Sequence, residues 1–402
     1  MTPAFKSVTF KLILGTAWLF LLVWPMTGIK PEGLEFAQAA QIVGAALVAA
    51  MAIVLASKLG RKVDLGVGRA VVKAASRLSA LPGALWKTAG MAALLAFPVL
   101  SPRYGQDVAI NVLVYVTLGL GLNIVVGLAG LLDLGYIAFY GVGAYTYALL
   151  SVHFQMSFWL ALPLCAAFAA MAGCFIGYPT LRMRGDYLAI VTLGFGEILR
   201  LVLNNWMKLT GGPNGILGIK PPALYLPAPE NGWGMSRFLL KSPISQYYLI
   251  LAIALFTVIA VRRLTDSRIG RAWEAIREDE TAAALMGVNT FALKLLAYAM
   301  GAVFGGVAGA FFAAKMRFVS PGSFTFIESA MVLSMVVLGG MGSIPGIVLG
   351  ALTLIALPEA FREFEHYRML VFGAAMVFMM LFRPAGLLPA KRVGRRSEEA
   401  HS

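Results

Sequence analysis

Few side chains in this sequence could do chemistry, and their spacing limits the kind. The three histidines, His153, His366 and His401, lie far apart in the chain. They offer no cluster for general acid–base work. Cys165 and Cys174 share one apolar run, where buried structural thiols are expected rather than a disulfide framework or a metal site. No Gly-x-x-x-x-Gly-Lys-Ser/Thr phosphate loop, His-Glu-x-x-His or Gly-x-Ser-x-Gly pattern occurs. We therefore expect no enzyme, no metal and no cofactor in this chain. The ionisable minority is more informative. Glu197 falls near the middle of an apolar run, with Arg200 three residues on, a spacing that allows a same-face pair. Asp133 and Glu328 fall near the ends of other runs. Ionisable groups in such runs mark functional positions by default, although a Glu197–Arg200 pair also fits a structural role. An ion-coupled carrier would normally carry more of them.

The elements that must position these residues follow from composition. Of 402 residues, 59% are hydrophobic and 13% charged. A soluble domain averages about 45–50% apolar and about 25% charged. So little polar cover cannot clothe so much apolar surface, which disfavours a soluble enzyme, a disordered chain or a nucleic-acid binder. Apolar runs occur at about 12–27, 36–57, 88–100, 108–130, 135–152, 158–178, 186–204, 244–261, 293–314, 326–341, 345–358 and 369–382. The expected fold is all-α: a polytopic inner-membrane helical bundle of about 10–12 membrane segments. The runs 88–100, 345–358 and 369–382 are short and could be tilted, kinked or re-entrant. The first run has no small-residue cleavage site directly after it, so it reads as an uncleaved helix.

The net charge of +14 is a topology signal. With a cytoplasmic N-terminus, the 33 basic residues divide into 22 in inner segments, 10 in outer segments and Arg200 within a span. The positive-inside rule then places both termini in the cytoplasm. Residues 1–100 read as an N-terminal membrane extension with a basic cytoplasmic loop, 101–390 as a membrane-spanning core and 391–402 as a basic tail. Within the loop 58–87, Arg69, Lys73 and Arg77 recur at helical spacing, which fits either a helix on the inner leaflet or a solvated linker. Membrane lipid is thus one expected partner, and nucleic acid is not.

Two further loops stand out. The outer loop 205–243 contains Thr210-Gly211-Gly212-Pro213-Asn214-Gly215, and so long a loop is usually functional or disordered. The inner loop 262–292 places helix formers between Gly270 and Gly287, which predicts one helix of about four turns over 271–287. On it Trp273, Ile276, Ala284 and Gly287 would share a face. Such a helix could dock in a groove on a cytoplasmic partner or simply connect two spans. Gly301, Gly305 and Gly309, and later Gly342, Gly346 and Gly350, recur every four residues, as in helices that approach closely in lipid. The stretch 339–346 is flexible enough to interrupt a helix, and interrupted membrane helices often line a cavity.

The inner loop also carries a resemblance. Thr281-Ala282-Ala283 followed by Gly287 resembles the Glu-Ala-Ala-x-x-x-Gly loop of ABC importer permeases, with Thr281 in place of the Glu. Gly185-Asp186-Tyr187-Leu188-Ala189-Ile190-Val191-Thr192-Leu193-Gly194 followed by Leu209–Gly215, Phe139–Tyr145 and Val336–Ser343 resemble the LivM-type permeases of branched-chain amino acid importers. The resemblance spans about residues 105–385. Leu132-Asp133-Leu134-Gly135 departs from it, since that family usually has an uncharged Ser-Leu-Gly there. Related permeases for urea and short amides share the core.

The resemblance implies an importer of several subunits. A second, LivH-like permease would pair with this one. Two cytoplasmic ABC ATPase subunits would bind ATP and Mg, and a periplasmic substrate-binding protein would deliver cargo. The 271–287 helix would be the coupling helix, with Arg271, Glu274, Ala275, Arg277, Glu280, Ala282, Ala283 and Gly287 meeting an ATPase. Thr210, Gly211, Gly212, Pro213 and Asn214 would help receive the binding protein. Tyr115, Asn123, Tyr145, Thr192 and Glu197 are candidate lining residues of the path, though such groups also make interhelical hydrogen bonds. Three rival readings stay open: a urea or amide cargo, an ion-coupled secondary carrier and a scaffold.

Overall fold

A computed structural model describes residues 29–30, 33–34, 94–99, 101–183, 185–227, 235–240, 242–356 and 386–388. The apolar runs 12–27, 36–57 and 369–382, the loop 58–87 and the tail 391–402 lie outside the described residues. The chain divides into two compact units, 1–96 with 361–375 and 97–360 with 376–402. In the first, Ile29–Lys30 pairs antiparallel with Gly33–Leu34. Everything below concerns the second.

That unit is helical. Helix α1, Arg103–Asn123, follows Pro102 and runs into a π-helical turn at Ile124–Leu128. Helix α2 is Ile137–His153, α3 Phe158–Thr180 and α4 Asp186–Asn205. Helix α5, Pro243–Thr265, opens with the proline that suits a first helical turn. Two short helices follow, α6 Arg268–Glu278 and α7 Glu280–Leu285. Helix α8 is Thr290–Met316, α9 Phe326–Gly339 and α10 Ile344–Ala351, with a second π-helical turn at Leu352–Ala356. Among the described residues six helical stretches are long and apolar enough to cross a membrane: Arg103–Leu128, Phe158–Thr180, Tyr187–Asn205, Pro243–Thr265, Thr290–Met316 and Pro321–Gly339. Helix α2, at 17 residues, is almost as long and packs inside the bundle. The molecule is a multi-pass helical membrane protein.

Helix α8 is the hub and packs chiefly against α3, α2 and α1. Its glycines explain why. Gly301 faces Gly121 and Val125, Gly305 faces Phe139 and Gly309 meets the Tyr140 carbonyl. Gly306 on the neighbouring face meets Cys165 and Ala169 of α3. A Cβ at Gly309 would overlap backbone of α2. The spacing read from the sequence therefore brings backbones together where lipid supplies no hydrophobic drive. The second glycine series does the same over a shorter distance. Gly346 and Gly350 pack on the Gly339 and Met335 carbonyls, folding α10 back along α9. The turn between them is pinned to α1, because Asn123 Oδ1 accepts from Gly342 N at 2.8 Å.

At the end of the bundle opposite α6 and α7, chain segments are stitched by backbone bonds. Ile216–Leu217 pairs antiparallel with Phe318–Val319, and Ala223–Pro227 with Met235–Leu239. Tyr147 Oη donates to Lys220 O at 2.7 Å, Ser151 Oγ accepts from Lys220 N at 3.0 Å and Trp159 Nε1 donates to Ala223 O at 2.9 Å. The loop 205–243 is thus built onto α2 and α3.

Candidate functional site

The inner loop forms two helices where the sequence predicts one. Ser267 caps α6, its Oγ accepting from Gly270 N at 3.2 Å. Asp279 then leaves the helical conformation (φ −154°, ψ 110°) and caps α7, accepting from Thr281 N at 2.8 Å and Ala282 N at 3.0 Å. An Asp that can satisfy two free N–H groups restarts the helix in preference to continuing it. The break changes the phase of the second half. Trp273, Ile276 and Ala283 are the buried residues, whereas Ala284 and Gly287, expected on the same face, are exposed.

The break also sorts the expected coupling residues into two groups. Arg271, Glu274, Ala275, Ala282 and Gly287 point to solvent. Arg277, Glu280 and Ala283 face the bundle. Arg277 Nη1 donates to the Gly127 carbonyl, at the π turn where α1 ends. Its stem lies on Gly130, where a Cβ would stand 2.8 Å from Arg277 Cγ. A cation on the last carbonyls of a helix also meets the favourable end of its dipole. Glu280 pairs with Lys294 of α8 at 2.5 Å, and Trp273 Nε1 donates to Leu293 O at 2.7 Å. Beyond these anchors Leu285 and Met286 are each 84% exposed. Two apolar side chains at the tip of a charged loop form an unfilled knob. Between this loop, residues 129–132 and the start of α4 lies a cleft of about 270 Å³, lined by Arg277, Glu280 and Lys294 among others.

The candidate path residues do not form one set. Tyr115 of α1 donates a hydrogen bond to Glu328 of α9. The buried Tyr145 of α2 stands 6.0 Å, ring to ring, from Phe324, and its hydroxyl has no partner among the described residues. Asn123 instead pins the α9–α10 turn. Thr192 is a buried tie, accepting from Leu134 N at 3.1 Å and donating to Ala189 O at 3.0 Å. Glu197 pairs with Arg200 at 2.7 Å, both about a third exposed on α4, as their spacing predicts.

The expected docking residues also divide. Thr210 is buried, donating to Leu203 O at 2.6 Å, and Gly212 is buried beside it. Gly211 is half-buried. Pro213 and Asn214 are exposed. The sequence motif therefore shapes the turn and presents two of its residues.

Asp133 sits in the loop between the first two helices and is 1% exposed. Its Oδ1 accepts from Gly135 N at 2.8 Å, and Oδ2 has no partner among the described residues. Burial pushes its carboxyl up to about 6, against the opposing pull of the Gly135 N–H bond.

Comparison with known proteins settles the class. The family model described as "Branched-chain amino acid transport system / permease component" matches residues 105–380. The chain belongs to this permease family. It is 48% identical over 310 residues to the high-affinity branched-chain amino acid transport system permease protein LivM of Escherichia coli, covering 74% of this chain and 73% of that protein. It is 47% identical to LivM of Salmonella typhimurium with the same coverage. It is 26% identical over 289 residues to LivH of Salmonella typhimurium, covering 68% of this chain and 91% of LivH. No solved structure matches. Within this permease fold, Lys294 and the Leu285–Met286 knob escaped sequence reasoning. A lone Lys opening an apolar helix, and two apolar residues ending a charged loop, were the available signals.

Proposed function

We propose that this permease is the membrane subunit of an ATP-driven importer for branched-chain amino acids. Two ABC ATPase chains, a LivH-like permease and a periplasmic substrate-binding protein complete it in this reading. The observation that carries it is the 48% identity to LivM along 310 residues. The matches to LivH-named permeases fit a pair of homologous permeases. In the bacterial inner membrane both termini would face the cytoplasm, on the positive-inside count.

The coupling loop supports the ATP-driven part. Its exposed side offers Leu285 and Met286 with Arg271 and Glu274, an apolar anchor with a charged rim of the kind that docks into a partner's groove. Its inner side grips the end of α1 through Arg277 and the start of α8 through Glu280 and Trp273. A partner that moves the loop would pull on both helices at once, which suits switching between two states of a bundle. ATP and Mg would be bound by the partner chains. The residues Pro213 and Asn214 would meet the binding protein at the opposite end.

Uptake of labelled leucine by cells carrying the full system tests cargo. Unlabelled isoleucine and valine should compete with leucine, and urea should not. Competition by urea or acetamide alone would transfer the reading to the amide-type permeases.

A further inference from the structure

Glu328 is a half-buried carboxylate in the first turn of α9, away from the coupling loop. Its partner Tyr115 is the thirteenth residue of α1, so at 1.5 Å per residue it lies about 18 Å along that helix. That is near the middle of a hydrocarbon core of about 30 Å. Tyr115 Oη donates to Glu328 Oε2. Among the described residues Glu328 has no basic partner. The nearby cation of α8, Lys315, is engaged at 3.5 Å by Asp107 and at 3.0 Å by Asn111. An uncompensated carboxylate at this depth is costly, and a bound cation removes the cost.

Its surroundings are aromatic. Tyr140 stands 5.3 Å from Phe312 and 5.4 Å from Phe324, ring to ring. Phe312 and Phe324 are 6.2 Å apart, and Tyr145 joins the cluster at 6.0 Å from Phe324. Phe324 lies four residues before Glu328 in the chain, so the ring that Tyr140 packs on and the carboxylate belong to one short segment. Gly141 lets Phe324 seat against α2, since a Cβ there would stand 3.3 Å from its ring. The buried, unpartnered Tyr145 hydroxyl leaves one polar group in the cluster unused. Glu328 itself is only half-buried, between exposed Ile327 and buried Ser329, so its charge remains reachable.

A carboxylate with no cation paired to it among the described residues, beside packed rings, is complementary to an ammonium group carried on an apolar body. We propose that Glu328, positioned by Tyr115, is a transient station for the α-ammonium group of the translocated amino acid, with the Tyr140–Phe312–Phe324 rings taking its aliphatic side chain. This rests on the proposed import of branched-chain amino acids. A station must also release, and one charge shared with a tyrosine hydroxyl holds an amine less tightly than a closed ion-pair cage would.

The test uses the complete importer in proteoliposomes, with leucine-loaded binding protein and ATP. Glu328→Gln keeps an acceptor for Tyr115 and removes the charge. It should lower leucine uptake by about tenfold or more while ATP hydrolysis stimulated by the loaded binding protein stays within about twofold. Glu328→Asp keeps the charge and should retain most uptake. Tyr115→Phe frees the carboxylate and should cost about threefold or less. If Glu328→Gln imports like the wild type, the station is overturned. If Glu328→Asp and Tyr115→Phe instead lose the assembled complex together, the pair is a structural staple and the station is also overturned. A wild-type complex that imports no branched-chain amino acid would overturn the proposed function and the station with it. Wild-type import with an unaffected Glu328→Gln would overturn the station alone.

Discussion

The two ends of this bundle are held by different bonds, with strand-paired loop chain at one and two short helices at the other. At one end, loop 205–243 and residues 316–325 are joined by strand pairing and by side chains of α2 and α3 that bind loop backbone. At the other, α6 and α7 touch the bundle through a few long side chains, chiefly Arg277, Glu280 and Trp273. Backbone pairing fixes a segment in place, because every bond is lost if it shifts. Long side chains can follow a moving element while staying attached. The first end is held as a cap; on the proposed reading the second is a lever, which would suit an importer driven from one side.

This contrast gives variants at the two ends different signatures. Placing Asp at both Leu285 and Met286 should have the largest effect. It should lower leucine uptake by about a hundredfold, with the melting temperature of the purified permease unchanged, because both side chains are already in solvent. A fall in melting temperature equal to that of a core substitution would show that the knob is part of the fold. Arg277→Ala comes next. It should cut uptake by about tenfold, since the link to the end of α1 is gone. ATP hydrolysis should continue, uncoupled from transport. Retained coupling would assign the lever's grip to Glu280 and Trp273 alone.

At the cap the order of effects reverses. Gly215 has φ +67°, and a Cβ there would overlap the Val319 carbonyl. Gly215→Val should therefore destabilise the permease by roughly 2–3 kcal/mol, read as a lower melting temperature. In assembled complexes the uptake per molecule should fall by no more than about twofold. A variant that stays stable but stops importing would make the cap a moving part.

The last effect, on stability alone, concerns Asp133, beneath the inner loop. Its carboxyl is raised from 3.8 to about 6 in the folded chain. The native state therefore holds its proton over a range where the unfolded chain has released it, and stability falls as pH rises between those values. Above pH 6 the loss levels off at roughly 2–3 kcal/mol. Asp133→Asn should flatten this slope in thermal melts taken from pH 4 to pH 8, and should raise stability at pH 8. An unchanged slope would mean that the carboxyl is relieved by a group outside loop 129–136.

Much of this architecture is legible in the sequence because lipid enforces it. A run such as 158–178 can satisfy its backbone in the bilayer only as a helix, and α3 occupies Phe158–Thr180. The glycines at 301, 305 and 309 have one physical use in such a helix, and α8 uses them so. The Glu197–Arg200 pair follows from spacing alone. What the sequence conceals is decided by competition between local bonds or by distant partners. Asp279 has a helical environment on both sides, yet its side chain caps α7 and splits the expected helix. Asn123 and Thr192 look like path residues in a linear reading, whereas their partners, Gly342 and Leu134, sit on other segments. The joining of Tyr115 to Glu328, 213 positions apart, leaves no local trace.

The most direct measurement is leucine accumulation in proteoliposomes, made either with this chain alone under sodium and proton gradients or with the second permease, both ATPases and the binding protein. The account predicts accumulation only in the complete set, only with ATP, and its loss when Leu285 and Met286 are both Asp. Gradient-driven leucine uptake by the purified chain alone would contradict it.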